Sequence, residues 1–129
     1  MGLLVAVAVL GLCNVAEARV VVTETSIEIY DPIRFVGTTA AIAGRSTRML
    51  DSVARMLLGN PSIRVMEVHA FGVDSSVDQL VLGELRARAV VAELVRRGVP
   101  AKRLRAIGAA RPDHGNDPGV ALVIADRAS

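Results

Sequence analysis

The side chains that most often carry enzymatic chemistry are sparse in this chain. Its two histidines, His69 and His114, stand far apart, without the close ligand spacing that is typical of a metal site. Cys13 is the only cysteine, and Gly37-Thr38-Thr39 lacks the Gly-Lys-Thr ending of a phosphate-binding loop. No Ser-His-Asp or Cys-His arrangement can be assembled. We therefore predict that the protein is not an enzyme and that it holds no metal and no cofactor.

Two charged residues, Arg86 and Asp74, remain as candidates for binding. Arg86 lies near the start of a predicted helix, and Asp74 lies in the loop before it. A guanidinium can hold a carboxylate through two parallel hydrogen bonds, and the N–H groups at a helix start favour an anion. Residue chemistry alone leaves simpler alternatives open. Arg86 could lie on a solvated helix face, paired with Glu84 or Asp78, and Asp74 could be a solvated loop residue or a helix cap.

Composition predicts a single domain with an aliphatic core. The chain has 129 residues, of which 52% are apolar, but it contains no Trp, one Tyr and two Phe. Its core must therefore be built from Val, Leu, Ile and Ala. The formal net charge of +2 is mild, so it does not indicate a nucleic acid as partner.

The N-terminus is typical of an export signal. Leu3 to Val15 is apolar but short for a membrane span, which needs about 20 residues, and Ala16-Glu17-Ala18 fits a cleavage site. We predict a signal peptide at residues 1–18 and one domain at residues 19–129. Two alternatives stay open: the segment is retained as a short anchor, or the chain is lipidated at Cys13.

The first half of the domain predicts a strand, a loop and a helix. Residues 19–30 are rich in β-branched side chains and read as one strand, and Ile33 and Phe35 are predicted to share a strand face. Ser46 is the predicted N-cap of the first helix, and Gly59 its predicted left-handed cap. The buried stripe of that helix should consist of Leu50, Val53, Ala54 and Leu57.

The second half repeats the alternation of strand and helix. A strand is predicted at residues 63–70, with Ile63 and Val65 facing the same way, and a loop follows at 71–77. A helix capped by Asp78 comes next, and it should end at Arg96-Arg97-Gly98. The buried stripe of this helix should consist of Ala87, Val90, Val91 and Leu94. Two further strands are predicted at residues 102–107 and 120–125. This order implies an α/β or α+β sandwich with both helices on one face of a sheet.

The stretch from Ile33 to Gly108 resembles the OmpA-like domain in the order and spacing of its motifs. The matching features are I-R-F-V-G-T, the first helix ending at N-P-S-I-R-V, the helix opening L-G-E-L-R-A, and R-R-G-V-P-A-K-R-L-R-A-I-G. The resemblance implies an α+β fold with a β-α-β-α-β core and two helices on one face of a mixed sheet. It also implies a periplasmic or outer-membrane-associated protein whose partner is peptidoglycan.

The resemblance also implies a charge clamp for the diaminopimelate of the peptidoglycan stem peptide. Arg86, in Leu82-Gly83-Glu84-Leu85-Arg86-Ala87, falls on the arginine that takes the ligand carboxylate. The aspartate that takes its ammonium belongs to a Gly-His-Thr-Asp loop, which Ala70 to Val73 replaces here, so that Asp74 stands one position further on. Asp117-Pro118-Gly119-Val120 stands where the family has Asn-Arg-Arg-Val. These departures leave an alternative: a degenerate domain that contacts other envelope proteins.

Overall fold

A short hairpin and three longer strands form one mixed sheet beneath two helices. The computed structural model describes residues 20–29, 32–72, 77–109 and 119–128. In chain order the elements are β1 (Val20–Val22), β2 (Ser26–Ile29), α1 (Thr47–Leu58), β3 (Ile63–Phe71), α2 (Val77–Arg96), β4 (Leu104–Ala109) and β5 (Val120–Arg127). The strand order across the sheet is β1-β2-β5-β3-β4.

Among the described strands of this sheet, only one pair runs parallel. β3 pairs with β4 in parallel, and α2 makes the crossover between them, as a parallel connection requires. The other pairs, β1 with β2, β2 with β5, and β5 with β3, are antiparallel. The predicted α+β class and the β-α-β-α-β order are therefore confirmed.

Residues 19–30 do not form the single strand that their composition predicts. The described part folds into the β1–β2 hairpin, whose turn is held by Thr23. Its Oγ1 accepts the backbone N–H of Ser26 at 2.9 Å, and its own N–H donates to the Ser26 carbonyl at 2.9 Å. A threonine side chain that bonds the backbone locally can start a turn. The alternation of apolar and polar residues does not indicate such a turn.

Ile33 and Phe35 are not on a regular strand either. Phe35 forms an isolated antiparallel bridge with Ile42, and a turn lies between them. Ile33 is nevertheless buried, and Phe35 packs at the edge of the core. The apolar side chains were identified correctly, but their conformation was not.

Helix α1 is amphipathic in the register that the sequence predicts. Its predicted stripe is buried, and Met49 joins it. Ser46 and Gly59 are at the cap positions as predicted, but neither caps the helix in the predicted way. Ser46 precedes the helix without capping it, because its Oγ accepts the N–H of Arg34 at 2.8 Å. Gly59 has a φ of −83°, so the helix ends there without a left-handed residue.

Helix α2 ends as predicted, at a left-handed glycine. Gly98 has a φ of 104° and donates its N–H to Val95, while Val99 donates to Leu94. These two bonds, together with burial of Val99 and Leu94, form a Schellman cap. Asp78 is in the first turn of the helix rather than at its N-cap position. The predicted stripe is buried at Ala87, Val90 and Leu94 and half-buried at Val91.

The sheet turns one alternating face toward both helices. On β3 this face carries Met66, Val68 and Ala70, and the register slips between Ile63 and Met66. Because of that irregularity Ile63 is fully buried and Val65 only half-buried. The prediction that these two side chains face the same way is therefore wrong. All of these buried residues join α1 and α2 in one aliphatic core.

Two arginines tie the helices to the rest of the domain. Arg103 donates to the carbonyls of Leu57, Asn60 and Ile63 at 2.7–3.1 Å, which joins the end of α1 to the start of β3. Arg97 donates 2.6 Å hydrogen bonds to Asp51 on α1 and to Glu93 on α2. The bonds to Asp51 first and to Glu93 second raise the pKa of Arg97 above its ordinary value.

The predicted export signal at residues 1–18, with Cys13, lies outside the described residues. In the part of the chain that the structure describes, neither helix has the length and apolarity that crossing a bilayer requires.

Candidate binding site around Arg86

Arg86 lies inside the domain, where it joins three separate segments. Its side chain projects from α2, and the residue is 6% exposed. Nε donates to the carbonyl of Thr39 at 2.8 Å, Nη1 to that of Phe71 at 3.2 Å, and Nη2 to that of Gly37 at 3.2 Å. Its Cζ atom lies 4.7 Å from the centroid of the Phe35 ring, within cation–π range. The guanidinium therefore links α2, the end of β3 and the turn after Phe35.

That turn is built so that its carbonyls point at the guanidinium. Gly37 has a φ of 55°, a conformation that side-chain-bearing residues rarely adopt. Thr39 closes the turn: its N–H and its Oγ1 both donate to the carbonyl of Val36, at 3.0 and 2.6 Å. The Phe35–Ile42 bridge fixes its base. We call residues 35–42 the clasp loop.

Helix α2 approaches the strand ends more closely than side chains normally allow. A Cβ atom on Gly83 would lie 2.6 Å from the carbonyl oxygen of Ala70, and one on Gly108 would lie 2.6 Å from that of Leu80. Ala70 and Gly108 are neighbours in the β3–β4 register. Two glycines thus set the depth at which α2 lies on the sheet, and Arg86 follows Gly83 by three residues on the same helix.

The electrostatics of this arrangement favour a fixed cation. Burial of a charge is costly unless hydrogen bonds replace its hydration, and three main-chain carbonyls do so here. Because the guanidinium is buried, an anion at its edge would be attracted more strongly than in bulk solvent. The alternative that Arg86 lies on a solvated helix face is wrong. Glu84, its suggested partner there, bonds Arg88 at 2.6 Å instead.

Asp74, the other predicted binding residue, lies outside the described residues. Its neighbours in the chain are described: Phe71, which ends β3 and bonds Arg86 through its carbonyl, and Val77, which begins α2. A role for Asp74 therefore stays a prediction.

His69 lies on β3, within an ion cluster on the sheet. Its Nε2 is 2.8 Å from Oε1 of Glu67, and Arg105 on β4 approaches the other oxygen of Glu67 at 3.6 Å. His69 is thus a strand residue with an acidic partner. In the described residues no three His, Cys, Asp or Glu side chains group together as a metal ion would require.

An open groove of about 380 Å³ runs beside the clasp loop, between the start of α1 and the second half of α2. Its walls are formed mostly by alanines and Gly44, with Glu93 as the one carboxylate. Small-molecule sites usually present several convergent polar groups, and this lining does not supply them. We therefore place the candidate site at Arg86 rather than in the groove.

Comparison with known proteins identifies the fold. No family model matches the chain, and no curated protein is detectably similar to it. Solved structures do match. The OmpA-like domain of FopA1 from Francisella tularensis has a TM-score of 0.65 at 16% identity, covering 82% of this chain and 77% of that one. The chain has the OmpA-like fold.

Two further solved structures support this OmpA-like assignment. The periplasmic domain of Helicobacter pylori MotB has a TM-score of 0.62 at 18% identity, covering 82% of this chain and 80% of its own. The peptidoglycan-associated lipoprotein of Burkholderia pseudomallei has a TM-score of 0.60 at 21% identity, covering 73% and 88%. At such identities the likeness establishes the fold, and the predicted resemblance is confirmed at that level.

Sequence reasoning located Arg86 in this OmpA-like domain but missed its partners. Phe35, Gly37 and Thr39 precede it by more than 45 residues, and helix or strand periodicity carries no signal over such a distance. The glycines were a usable signal. Gly83 stands inside a helical pattern and Gly108 inside a strand pattern, where an isolated glycine often marks a close approach of backbones.

Proposed function

We propose that this chain is a non-enzymatic domain of the cell envelope that binds peptidoglycan. Its ligand would be the diaminopimelate of the stem peptide, with Arg86 taking the carboxylate and Asp74 the ammonium. The OmpA-like fold supports the proposal, because one of the solved structures with that fold is a peptidoglycan-associated lipoprotein. Location in the periplasm or at the outer membrane, and possession of an export signal at residues 1–18, belong to the same proposal.

The observation that carries the proposal is the fixed orientation of Arg86. Its carbonyl bonds and the Phe35 ring hold the guanidinium in one position at the end of β3. A pre-positioned charge binds more tightly than a mobile one, because less side-chain entropy is lost when the ligand arrives. Charge-assisted, planar bonding is also the reason why arginine suits carboxylates better than lysine does.

The chain connectivity supports Asp74 as the second partner. It follows Phe71 by three residues, and three residues span at most about 11 Å. The carbonyl oxygen of Phe71 in turn accepts a hydrogen bond from Arg86. A free amino acid end carries both charges a few ångströms apart, so an acid within reach of the guanidinium would match its chemistry.

One observation favours a second candidate function. The carbonyls that Arg86 holds belong to the chain itself, so the residue also acts as a structural clasp between α2 and residues 37–39. A domain that kept this clasp and lost the ligand would act as a structural or protein-interaction module of the envelope. The two candidates differ in whether Asp74 matters for cell-wall binding.

Retention on purified cell-wall sacculi tests the proposal. We expect wild type to be retained, and both Asp74→Asn and Arg86→Lys to lose most of that retention. Losing one partner of a desolvated charge pair costs about 2–5 kcal/mol, which is more than tenfold in affinity. Arg88→Ala is the matched control, because this arginine is on the same helix with its side chain 66% exposed.

A second measurement separates the two candidates. Competition by free diaminopimelate-containing stem peptide should release wild type from the sacculi. Far-UV circular dichroism confirms that each variant is folded. Equal retention of wild type and Asp74→Asn would refute the charge clamp. A folded wild type that is not retained would refute peptidoglycan binding and leave the structural module as the function. N-terminal sequencing and intact mass of the exported protein distinguish cleavage after Ala18 from a retained anchor or a lipid at Cys13.

A further inference from the structure

The outward face of α2 is apolar along most of its length. We define the α2 outer face as the residues at alternating spacings of four and three, namely Val81, Leu85, Arg88, Ala92 and Val95. Val81 is 56% exposed, Leu85 49% and Val95 38%. By contrast, helix α1 turns polar side chains outward, including Thr47, Arg48 and Arg55. A helix that is apolar on both sides usually has a second packing partner.

The two ends of the α2 outer face lie symmetrically about Arg88. Val81 and Val95 stand seven residues before and after it, so each lies about 10.5 Å from it along the axis. If a second α2 packs antiparallel with a twofold axis at Arg88, Val81 lies opposite Val95 of the second copy. Leu85, three residues before the axis, then lies within about 1.5 Å of the level of Ala92 of the second copy, which is four residues after it. A large side chain meets a small one there, as close packing of two helices requires.

The charges at the ends of the face have the same symmetry. Asp78 in the first turn and Arg96 in the last are eighteen residues apart, which is five helical turns, so they lie on the same side of α2. The twofold axis at Arg88 brings Asp78 of each copy beside Arg96 of the other, with axial distances from the axis of about 15 and 12 Å. A parallel arrangement would instead place Asp78 beside Asp78 and Arg96 beside Arg96. In the antiparallel one the two copies of Arg88 meet at the axis, where each is paired with its own Glu84 at 2.6 Å.

We propose that the α2 outer face is a homodimer interface in which two copies of this chain pack their α2 helices antiparallel around Arg88. The interface spans about 21 Å, or two heptads, which is shorter than a self-sufficient coiled coil. The dimer is therefore a weak one that forms with rising concentration. Arg86 is buried on the opposite side of α2, so the interface and the proposed ligand site do not compete.

Disulfide trapping tests the register directly. In the full chain with Cys13→Ser, Arg88→Cys should cross-link to itself under mild oxidation, because the two copies of residue 88 meet at the axis. Val81→Cys and Val95→Cys should each fail alone and should cross-link when mixed, since a disulfide needs Cα atoms within about 7 Å. Val36→Cys, 54% exposed and outside the face, is the control. Trapping of Val36→Cys as readily as Arg88→Cys, or of Val81→Cys with itself, overturns the proposal.

Charge reversal provides an independent test by sedimentation equilibrium. Asp78→Arg and Arg96→Asp should each weaken the dimer about tenfold, because two attractive pairs become repulsive. The double variant should recover most of the wild-type affinity. Asp78 and Arg96 are five turns apart on one helix, so a contact within that helix cannot produce this recovery. Arg55→Asp makes the same charge change on α1 and should leave association unchanged. A wild type that stays monomeric at millimolar concentration, or a double variant weaker than either single one, refutes the dimer.

Discussion

Replacement of Gly83 by alanine should destabilise the domain, although helix propensity alone predicts the opposite. In an exposed helix interior, glycine to alanine stabilises by about 1 kcal/mol. Here the new Cβ would lie 2.6 Å from the carbonyl oxygen of Ala70. Ordinary carbon–oxygen contacts are about 3.3–3.6 Å, so α2 or β3 must move by roughly 0.7–1 Å.

The magnitude follows from what has to move. The carbonyl of Ala70 belongs to the strand backbone and cannot rotate away as a side chain could. Forced backbone shifts in a packed core cost about 1–3 kcal/mol, and a clash with a strand justifies the upper end. Subtracting about 1 kcal/mol for the propensity gain leaves a net loss of about 2 kcal/mol. Gly108→Ala should cost a similar amount, because its Cβ would meet Leu80 and Glu84 of α2.

Urea denaturation followed by far-UV circular dichroism measures this loss. Gly44→Ala is the control: no atom lies within 4 Å of its Cβ position, and it should change stability by less than about 0.5 kcal/mol. If Gly83→Ala is as stable as wild type or more so, then α2 does not lie at the depth described, and the position of Arg86 relative to the clasp loop is wrong as well.

Three further predictions concern the arginines. Arg86→Ala should lower the free energy of unfolding by about 2–3 kcal/mol, because charged hydrogen bonds to three carbonyls are lost, whereas Arg88→Ala should cost under about 0.5 kcal/mol. An equal effect of the two would contradict the clasp. Arg103→Ala should cost about 1–3 kcal/mol in the same urea assay, since it unties α1 from β3. Asp51→Ala should cost about 0.5–1 kcal/mol by removing a partner of Arg97. Pairing raises the pKa of Arg97, so its contribution is present below the ordinary arginine value and is lost only as pH rises through the raised one. The cost of Asp51→Ala should therefore be the same at neutral and at moderately alkaline pH, and a decline over that range would contradict this account.

The parts of the fold that follow local periodicity could be predicted from the sequence. The stripe of α1 and that of α2 recur at helical spacing, and burial confirms them. Gly98 was predictable as a cap because cationic residues precede it and an apolar residue follows. Gly59 is followed by Asn60 and Pro61, yet it keeps a right-handed conformation. Arg103, forty-six residues after Leu57, donates to the Leu57 carbonyl at that helix end instead, and the local pattern gave no sign of it.

The site was less predictable because its contacts are distant in sequence. The position of Arg86 followed from a motif, but its burial did not, since an arginine on an amphipathic helix is usually exposed. Burial depends on the carbonyls of the clasp loop and on the close approach of α2 to the sheet, which Gly83 and Gly108 permit. The hairpin turn at Thr23 was not predicted for a related reason. A single hydroxyl forms the turn, and the residues around it all favour an extended strand.

The position of β5 has a consequence for how the chain can mature. Among the described strands, it alone joins the β1–β2 hairpin to β3 and β4 by backbone hydrogen bonds. It is also the last of them to be synthesised, so the two halves of the sheet share no edge while the polypeptide is still growing. The sheet of a nascent chain therefore cannot close before β5 has been synthesised.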